Sequence, residues 1–254
     1  MLDIDLICES LPGRTVLWLE QTDSTMLDAA RLAEGGCPSG TVVGAEEQTA
    51  GQGRHGRSWV SGRGEGLYFS IVLRLPLEPA QQPMVTMALG LAVAEAIAHT
   101  SGAAVDLRWP NDVMIGDKKV CGILVQQQHT ALICGIGINV NQDSFPAGIA
   151  PIAGSLRLAT GRRLNREPMA IEVLRAIDRH VEILVKDGPE AILRLFTAAS
   201  SYVRGRRVVV EQGDRELRGV TAGLDGGGFL ILRQDDGSET VILAGGVRPE
   251  RTEG

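Results

Sequence analysis

Nine consecutive residues, Gly51-Gln52-Gly53-Arg54-His55-Gly56-Arg57-Ser58-Trp59, have the types and spacing to handle an anion. Three glycines let a backbone pass close to a ligand, and two arginines supply fixed positive charge. From Gln48 to Gly64 there is no Asp or Glu, yet Arg54, Arg57 and Arg63 fall there, in a chain of net charge -6. The positive charge is therefore local to this stretch and not a by-product of composition. The stretch also reads as G-x-G-x-x-G. A dinucleotide site needs a helix opening on the last glycine and an acid about 20 positions later, whereas here the chain runs through Ser-Trp-Val-Ser-Gly-Arg-Gly-Glu-Gly into another strand-like run. No Lys follows Gly56, which excludes a G-x-x-x-x-G-K-S/T phosphate loop.

Four other segments carry polar chemistry at predicted strand or helix ends, where ligands of sheet proteins gather. Asp23-Ser24-Thr25 opens a helix, with Thr25 expected as its cap and Asp28 in the capping-box position. Trp109-Pro110-Asn111-Asp112 stops a strand, because the residue before proline is pushed to extended geometry and Asn-Asp favours a turn. Lys118-Lys119-Val120-Cys121-Gly122 begins a strand, and Cys121 reads as a small packing residue because no His lies near it in sequence. Gly135-Ile136-Gly137-Ile138-Asn139 has glycines two apart in a strand, which leaves one strand face bare.

The elements that must position these groups are legible from periodicity. Strands are predicted over residues 15–21, 40–46, 67–75 and 105–108, and residues 113–115, 120–127 and 131–139 read as an antiparallel meander. Helices are predicted from Thr25 to Gly35-Gly36, from Pro83 through the apolar run 84–98, over 168–185 and over 189–199. Beyond Tyr202 four short β-branched runs, 208–210, 217–222, 229–232 and 240–243, are separated by Gly and Asp turns, the pattern of a small barrel-like module.

At 254 residues and 44% hydrophobic content the chain can bury a sizeable core. The apolar run 84–98 contains Thr86, Gly90 and Glu95 and is too short to span a bilayer, so no membrane role is expected. The N-terminal Met-Leu-Asp-Ile-Asp lacks the basic start of an export signal. Cys8, Cys37, Cys121 and Cys134 show no C-x-x-C spacing, which suits a reducing cytoplasm. Acidic overall charge and the lack of a long basic face argue against a nucleic-acid-binding module.

Taken together and in order, these segments resemble biotin protein ligases, enzymes that adenylate biotin and attach it to a lysine of a carrier protein. The family's glycine-arginine loop ending in Trp matches Gly51 to Trp59, and its Trp-Pro-Asn-Asp matches Trp109 to Asp112. Its Lys-x-x-Gly-Ile-Leu matches Lys119 to Leu124, and its Gly-x-Gly-x-Asn matches Gly135 to Asn139. Two departures stand out: Gln52 where the loop usually has arginine, and Arg108 where Lys usually precedes Trp-Pro.

The resemblance implies an α+β fold: a mixed, largely antiparallel sheet with flanking helices over residues 1–201, then a small SH3-like β-barrel over 202–254. It implies a cytoplasmic, monofunctional enzyme using ATP, biotin and Mg²⁺, with a biotin carboxyl carrier protein or domain as partner and a homodimer as an open arrangement. The strand that matches the start of the catalytic part lies near residue 16, which leaves no room for a winged helix-turn-helix, so no DNA binding is expected. Carried onto this sequence, the catalytic residues are Lys119 and Arg54. Biotin is assigned to Ser24, Thr25, Gln48, Gly51, Arg54, Lys119, Gly122, Gly135 and Gly137, and the nucleotide to Gln52, Arg54, Arg57, Trp59, Asn111, Lys119, Asn139 and Arg248. Asp112 and Asn139 are the expected Mg²⁺ ligands, hard oxygen donors for a hard cation. The chemistry explains the lysine: a carboxylate must approach a phosphate, and an ammonium about 4 Å from an anion is worth about 4 kcal/mol at an effective dielectric of 20. The alternative enzyme is a lipoate or octanoate protein ligase or transferase of the same superfamily.

Overall fold

The computed structural model describes residues 1–212 and 215–250. A seven-stranded sheet, in the order β1-β2-β3-β7-β6-β5-β4, forms the larger part. Its strands are β1 (Val16–Leu19), β2 (Val42–Ala45), β3 (Gly66–Leu73), β4 (Asp106–Arg108), β5 (Asp112–Ile115), β6 (Lys118–Gln128) and β7 (Ala131–Asn139). β1 and β2 are parallel and every other neighbouring pair is antiparallel, so the sheet is mixed and largely antiparallel as expected. The predicted strands of this sheet all form, with ends displaced by at most two residues, and β5 to β7 make the predicted meander.

The helices are α1 (Ile4–Ser10), α2 (Thr25–Glu34), α3 (Gln82–Ser101), α4 (Leu156–Thr160), α5 (Arg166–Asp187) and α6 (Pro189–Ala199). α3 is predominantly apolar: twelve of its residues are buried, it packs against α5, α6 and the sheet, and its exposed polar groups, Glu95 and His99, lie towards its C-terminal end. It is long and apolar enough to cross a membrane, but 67% of its most apolar window is buried inside the fold. Alternation along β3 separates the two faces of the sheet. Leu67, Phe69, Ile71 and Leu73 join the main core under α3 and α5, whereas Val72 joins a smaller core with Met26, Ala29 and Ala33 of α2. Two helices carried no clear sequence signal. α1 is short, started by Asp3, whose carboxylate accepts from the Leu6 amide at 3.0 Å, and α4 is a five-residue helix capped by Ser155.

One buried junction ties distant parts of the chain together. Glu46, at the end of β2, accepts from the Leu2 amide at 2.8 Å, from Trp18 Nε1 at 2.9 Å and from Arg166 Nη2 at 2.9 Å. Burial pushes its carboxyl upward, but these three partners outweigh that and hold it below the usual range.

The C-terminal part is a five-stranded antiparallel sheet, β11-β10-β9-β8-β12. Its strands are β8 (Arg204–Gln212), β9 (Arg215–Leu224), β10 (Leu230–Arg233), β11 (Glu239–Ile242) and β12 (Gly246–Pro249). β12 was not among the predicted runs, and among the described residues the end strands β11 and β12 share no ladder. The last four residues of the expected 202–254 module lie outside the described residues. This sheet does not stand apart from the larger one: Tyr202, Val208, Leu230 and Leu232 belong to the same apolar core as α3, and the Trp109 indole donates to Gly228 O at 2.9 Å, buried.

Candidate active site

The site lies on the face of the sheet that α2 only partly covers. Register brings its floor together: Ser70 of β3 faces Gly135 of β7, Gly135 in turn faces Leu124 of β6, and Gly137 faces Gly122. Because side chains alternate along a strand, Ser70, Gly122, Gly135 and Gly137 all point to this side. The glycines leave space that other side chains fill. A methyl added at Gly137 would lie 2.5 Å from Trp59 Nε1, one at Gly122 2.8 Å from Trp59 Cζ3, and one at Gly135 2.5 Å from Met26 Sδ.

At the α2 end of this floor is a chain of neutral hydrogen bonds. Gln48 Oε1 accepts from the Thr25 amide at 2.9 Å and from Thr25 Oγ1 at 3.1 Å. Thr25 Oγ1 also pairs with Ser70 Oγ at 2.9 Å, and Gln48 Nε2 donates to Ser61 Oγ at 2.9 Å. The cap of α2 is Ser24 and not the expected Thr25, and the expected capping box is not made: Asp28 instead accepts from Thr22 Oγ1 at 2.5 Å and from Arg31 at 2.9 Å. Thr25 is thereby free to face the site. Ser24 is fully buried and its hydroxyl has no partner.

At the opposite end are the charges. Arg54 Nη1 donates to Asn111 Oδ1 at 2.9 Å, and Asn111 Nδ2 donates to Ile123 O at 3.0 Å. Lys119 Nζ stands 2.6 Å from Asp112 Oδ1, and Arg108 Nη2 stands 2.7 Å from Asp112 Oδ2. Burial raises the pKa of Asp112, yet the two cations outweigh it and hold the carboxyl below its ordinary value. Burial lowers the Arg54 guanidinium from its ordinary value, with Asp112 opposing and Arg57 adding to the shift. The segment after β7 grips the lysine through its backbone, with Lys119 N donating to Ile152 O at 2.8 Å and Gly154 N to Lys119 O at 2.9 Å. Cys121 is buried and reduced, its thiol pushed upward by burial, which fits a packing role.

One cavity collects ten of the expected residues: Thr25, Gln48, Gln52, Arg54, Trp59, Asn111, Lys119, Gly122, Gly135 and Gly137. Six others stand outside its lining. Gly51 braces the loop: a methyl there would lie 2.6 Å from the Trp59 carbonyl oxygen. Ser24 is buried next to Thr25 in the chain, and Asp112 is linked to the cavity through its ion pair with Lys119. Arg57 and Arg248 instead meet at Glu211 of β8, the first at 3.6 Å and the second at 3.1 Å, and Arg248 also pairs with Glu216.

The expected Mg²⁺ pair does not fit a metal centre in this arrangement. Both Asp112 oxygens hold cations. Asn139 donates to Gly154 O at 2.9 Å and accepts from Gln142 Nε2 at 3.4 Å, so it braces the segment after β7. Ser61 and Ser70 were missed in the sequence. For Ser70 a signal existed, a hydroxyl in the middle of an otherwise buried, apolar strand; for Ser61, in an irregular polar loop, none did.

Comparison with known proteins places this geometry. The model of the biotin/lipoate A/B protein ligase family matches residues 18–143, and that of the biotin protein ligase C-terminal domain matches residues 204–247. The biotin (acetyl-CoA-carboxylase) ligase of Mycobacterium tuberculosis is 34% identical over 232 residues, covering 89% of this chain and 85% of the relative. The bifunctional ligase/repressor of Bacillus subtilis is 32% identical over 243 residues, covering 91% of this chain and 73% of the relative. The solved structure of a biotin protein ligase from Aquifex aeolicus in complex with biotin and ATP superimposes with a TM-score of 0.83 at 33% identity, covering 93% of this chain and 99% of that one.

Proposed function

The chain belongs to the biotin protein ligase family, and from that premise we propose which of its residues carry each step of the reaction. The activity is ATP-dependent protein biotinylation. The carboxylate of biotin attacks the α-phosphorus of ATP, pyrophosphate leaves, and biotinoyl-5'-AMP forms. The ε-amine of a lysine on a biotin carboxyl carrier protein then attacks the activated carbonyl, AMP leaves with the bonding pair, and the amine loses its proton.

One observation carries the residue assignment: Arg54 and Lys119 face the same glycine-floored cavity as the neutral Thr25–Gln48 pair. A neutral, fixed hydrogen-bonding end suits the ureido ring of biotin, which is polar and uncharged. Gly122, Gly135 and Gly137 keep strand side chains out of the cavity floor, and the charged end receives the carboxylate and the α-phosphate. Lys119 is the group that reduces their mutual repulsion, and Asp112 keeps its ammonium aimed. Arg54 contacts the developing charge on phosphorus, held for that purpose by Asn111. The glycine loop shields the mixed anhydride from water. A divalent ion would reach this site on the phosphates of ATP, with the protein residues above serving as cations and donors in their own right.

Further parts of this reading are a division into modules at 1–201 and 202–254, a cytoplasmic location, no DNA or membrane target, and a homodimer as the assembly to test. Radiolabelled biotin and lipoate, each offered with ATP, test the function in one pyrophosphate-release assay. Release with biotin alone is the expected result, and release with lipoate alone would overturn it.

A further inference from the structure

Arg108 belongs to the charged end of the site but does not line the cavity. It stands directly opposite Asp112 across the β4–β5 hairpin, so the two side chains leave the sheet on the same side. The guanidinium donates twice to Asp112 Oδ2, from Nη2 at 2.7 Å and from Nε at 3.2 Å. Asp112 in turn faces Gly122 across β5 and β6. Because Gly122 has no side chain, Lys119 can cross it, its Cε and Nζ 3.0 Å from where a methyl would be. The ammonium so reaches the other carboxylate oxygen at 2.6 Å. One largely buried carboxylate therefore holds two cations, one on each oxygen, and all three residues are carried on strands.

The charge balance is the consequence. Asp112 and Lys119 alone are a neutral pair, which presents only a dipole to a third charge. Arg108 brings the group to +1. The field of the carboxylate also extends to Arg54, whose charged form it favours. An uncompensated Asp112 would thus act on both cations that line the cavity, Lys119 and Arg54, at the place where a carboxylate and a triphosphate must be brought together.

Resting on the role given to Lys119 above, we propose that Arg108 is a positioning residue for adenylate formation: by neutralising and orienting Asp112, it leaves the charge of Lys119 uncancelled for the reacting anions. The carboxylate that aims the lysine would otherwise hold it back. The rival is that Arg108 only pins the β4–β5 hairpin.

A rescue separates charge from pinning. Pyrophosphate release by the full-length protein with biotin and ATP is measured for Arg108→Gln, Arg108→Lys, Asp112→Asn and the pair Arg108→Gln/Asp112→Asn, beside melting curves. Arg108→Gln keeps a hydrogen-bond donor and loses the charge; its kcat should fall about tenfold or more, as for one charge at close range in a largely buried site, with a smaller change in KM for biotin. Arg108→Lys keeps the charge and should stay within about threefold of wild type. The pair should be at least about fivefold faster than Arg108→Gln, because the charge that Arg108 offsets is then gone. A pair no faster than Arg108→Gln, or Arg108→Lys as slow as Arg108→Gln, would overturn the proposal. If Arg108→Gln does not fold, Asp112→Asn is compared with the pair: rates within about threefold of each other support the proposal, and a further loss of about tenfold sinks it. The functional reading is judged separately by wild-type pyrophosphate release; should lipoate prove the activated acid, the same variants are measured with lipoate.

Discussion

Arg54 and Asn111 are joined by a 2.9 Å hydrogen bond that crosses from the glycine loop to the residue just before β5. Asn111 is itself fixed to Ile123 in both directions, donating through Nδ2 at 3.0 Å and accepting at its carbonyl from the Ile123 amide at 3.0 Å. The position of the guanidinium is therefore set by the sheet, although the arginine belongs to the loop. Asn111→Ala should lower adenylate formation about tenfold to a hundredfold, the range for losing a hydrogen bond to a charged group. Thermal stability should change little. Pyrophosphate release beside a melting curve checks both, and a normal rate would show that Arg54 holds its place unaided.

Lys119→Ala should reduce adenylate formation by about 100- to 1,000-fold. A lysine at the start of a strand would by itself cost little stability on removal, but Lys119 stands 2.6 Å from the largely buried Asp112. The variant leaves this carboxylate with Arg108 as its remaining ion-pair partner, at a cost of about 2 kcal/mol.

That cost should depend on pH. The folded pKa of Asp112 lies below its ordinary value, so the stability it contributes is present above the unfolded carboxyl pKa of about 3.9 and is lost as pH falls through the lower folded value. Removing Lys119 weakens the depression. The stability gap between wild type and Lys119→Ala should be widest near neutral pH and narrow below about pH 4. Denaturant titrations across that window measure it, and a gap independent of pH would remove Asp112 as the cause.

Gln52→Arg should tighten retention of biotinoyl-5'-AMP by about 1 kcal/mol, chiefly by slowing release. Gln52 lines the cavity together with Arg54, so an added cation there would join the charged end. Dissociation rates at low and high salt decide it, since a solvent-facing arginine adds only a screened charge worth almost nothing.

A chain ending at residue 200 should fold poorly and lose activity through the fold, even though the residues lining the cavity precede residue 138. The missing sheet would uncover the side of α3 at Met84, against which Gly228 sits so closely that an added methyl would lie 2.4 Å from its Cε. It would also leave the Trp109 indole N–H without its acceptor. Soluble yield and melting temperature of the truncated chain are the measurements, with a wild-type melting curve as the contrary result.

The legibility of this protein follows the range of the interactions. β5 to β7 and α3 were readable because alternation and unbroken apolar runs are local consequences of burial. The site's floor was readable in part, since glycines two apart at Gly135 and Gly137 announce a bare strand face. What lies on that face was not: Trp59 reaches Gly137 through a loop whose path no periodicity encodes, and Ser61 meets Gln48 for the same reason. The partners of Asp112 and Asn139 were not legible either, because the sequence cannot say that Lys119, Arg108 and Gly154 will meet them. Arg57 and Arg248 share the same limitation, both meeting Glu211.

The Glu46 junction should set an order on synthesis at the ribosome. Its carboxylate is placed by Leu2, Trp18 and Arg166, and the last of these lies 120 positions downstream. Until the start of α5 has emerged, a nascent chain holding β1 and β2 has an acid at the end of β2 without the cation that offsets its burial, so the edge of the sheet cannot close around it. The N-terminal strands should therefore gain hydrogen-exchange protection only once that helix is present, since contacts of such long range come late and slowly.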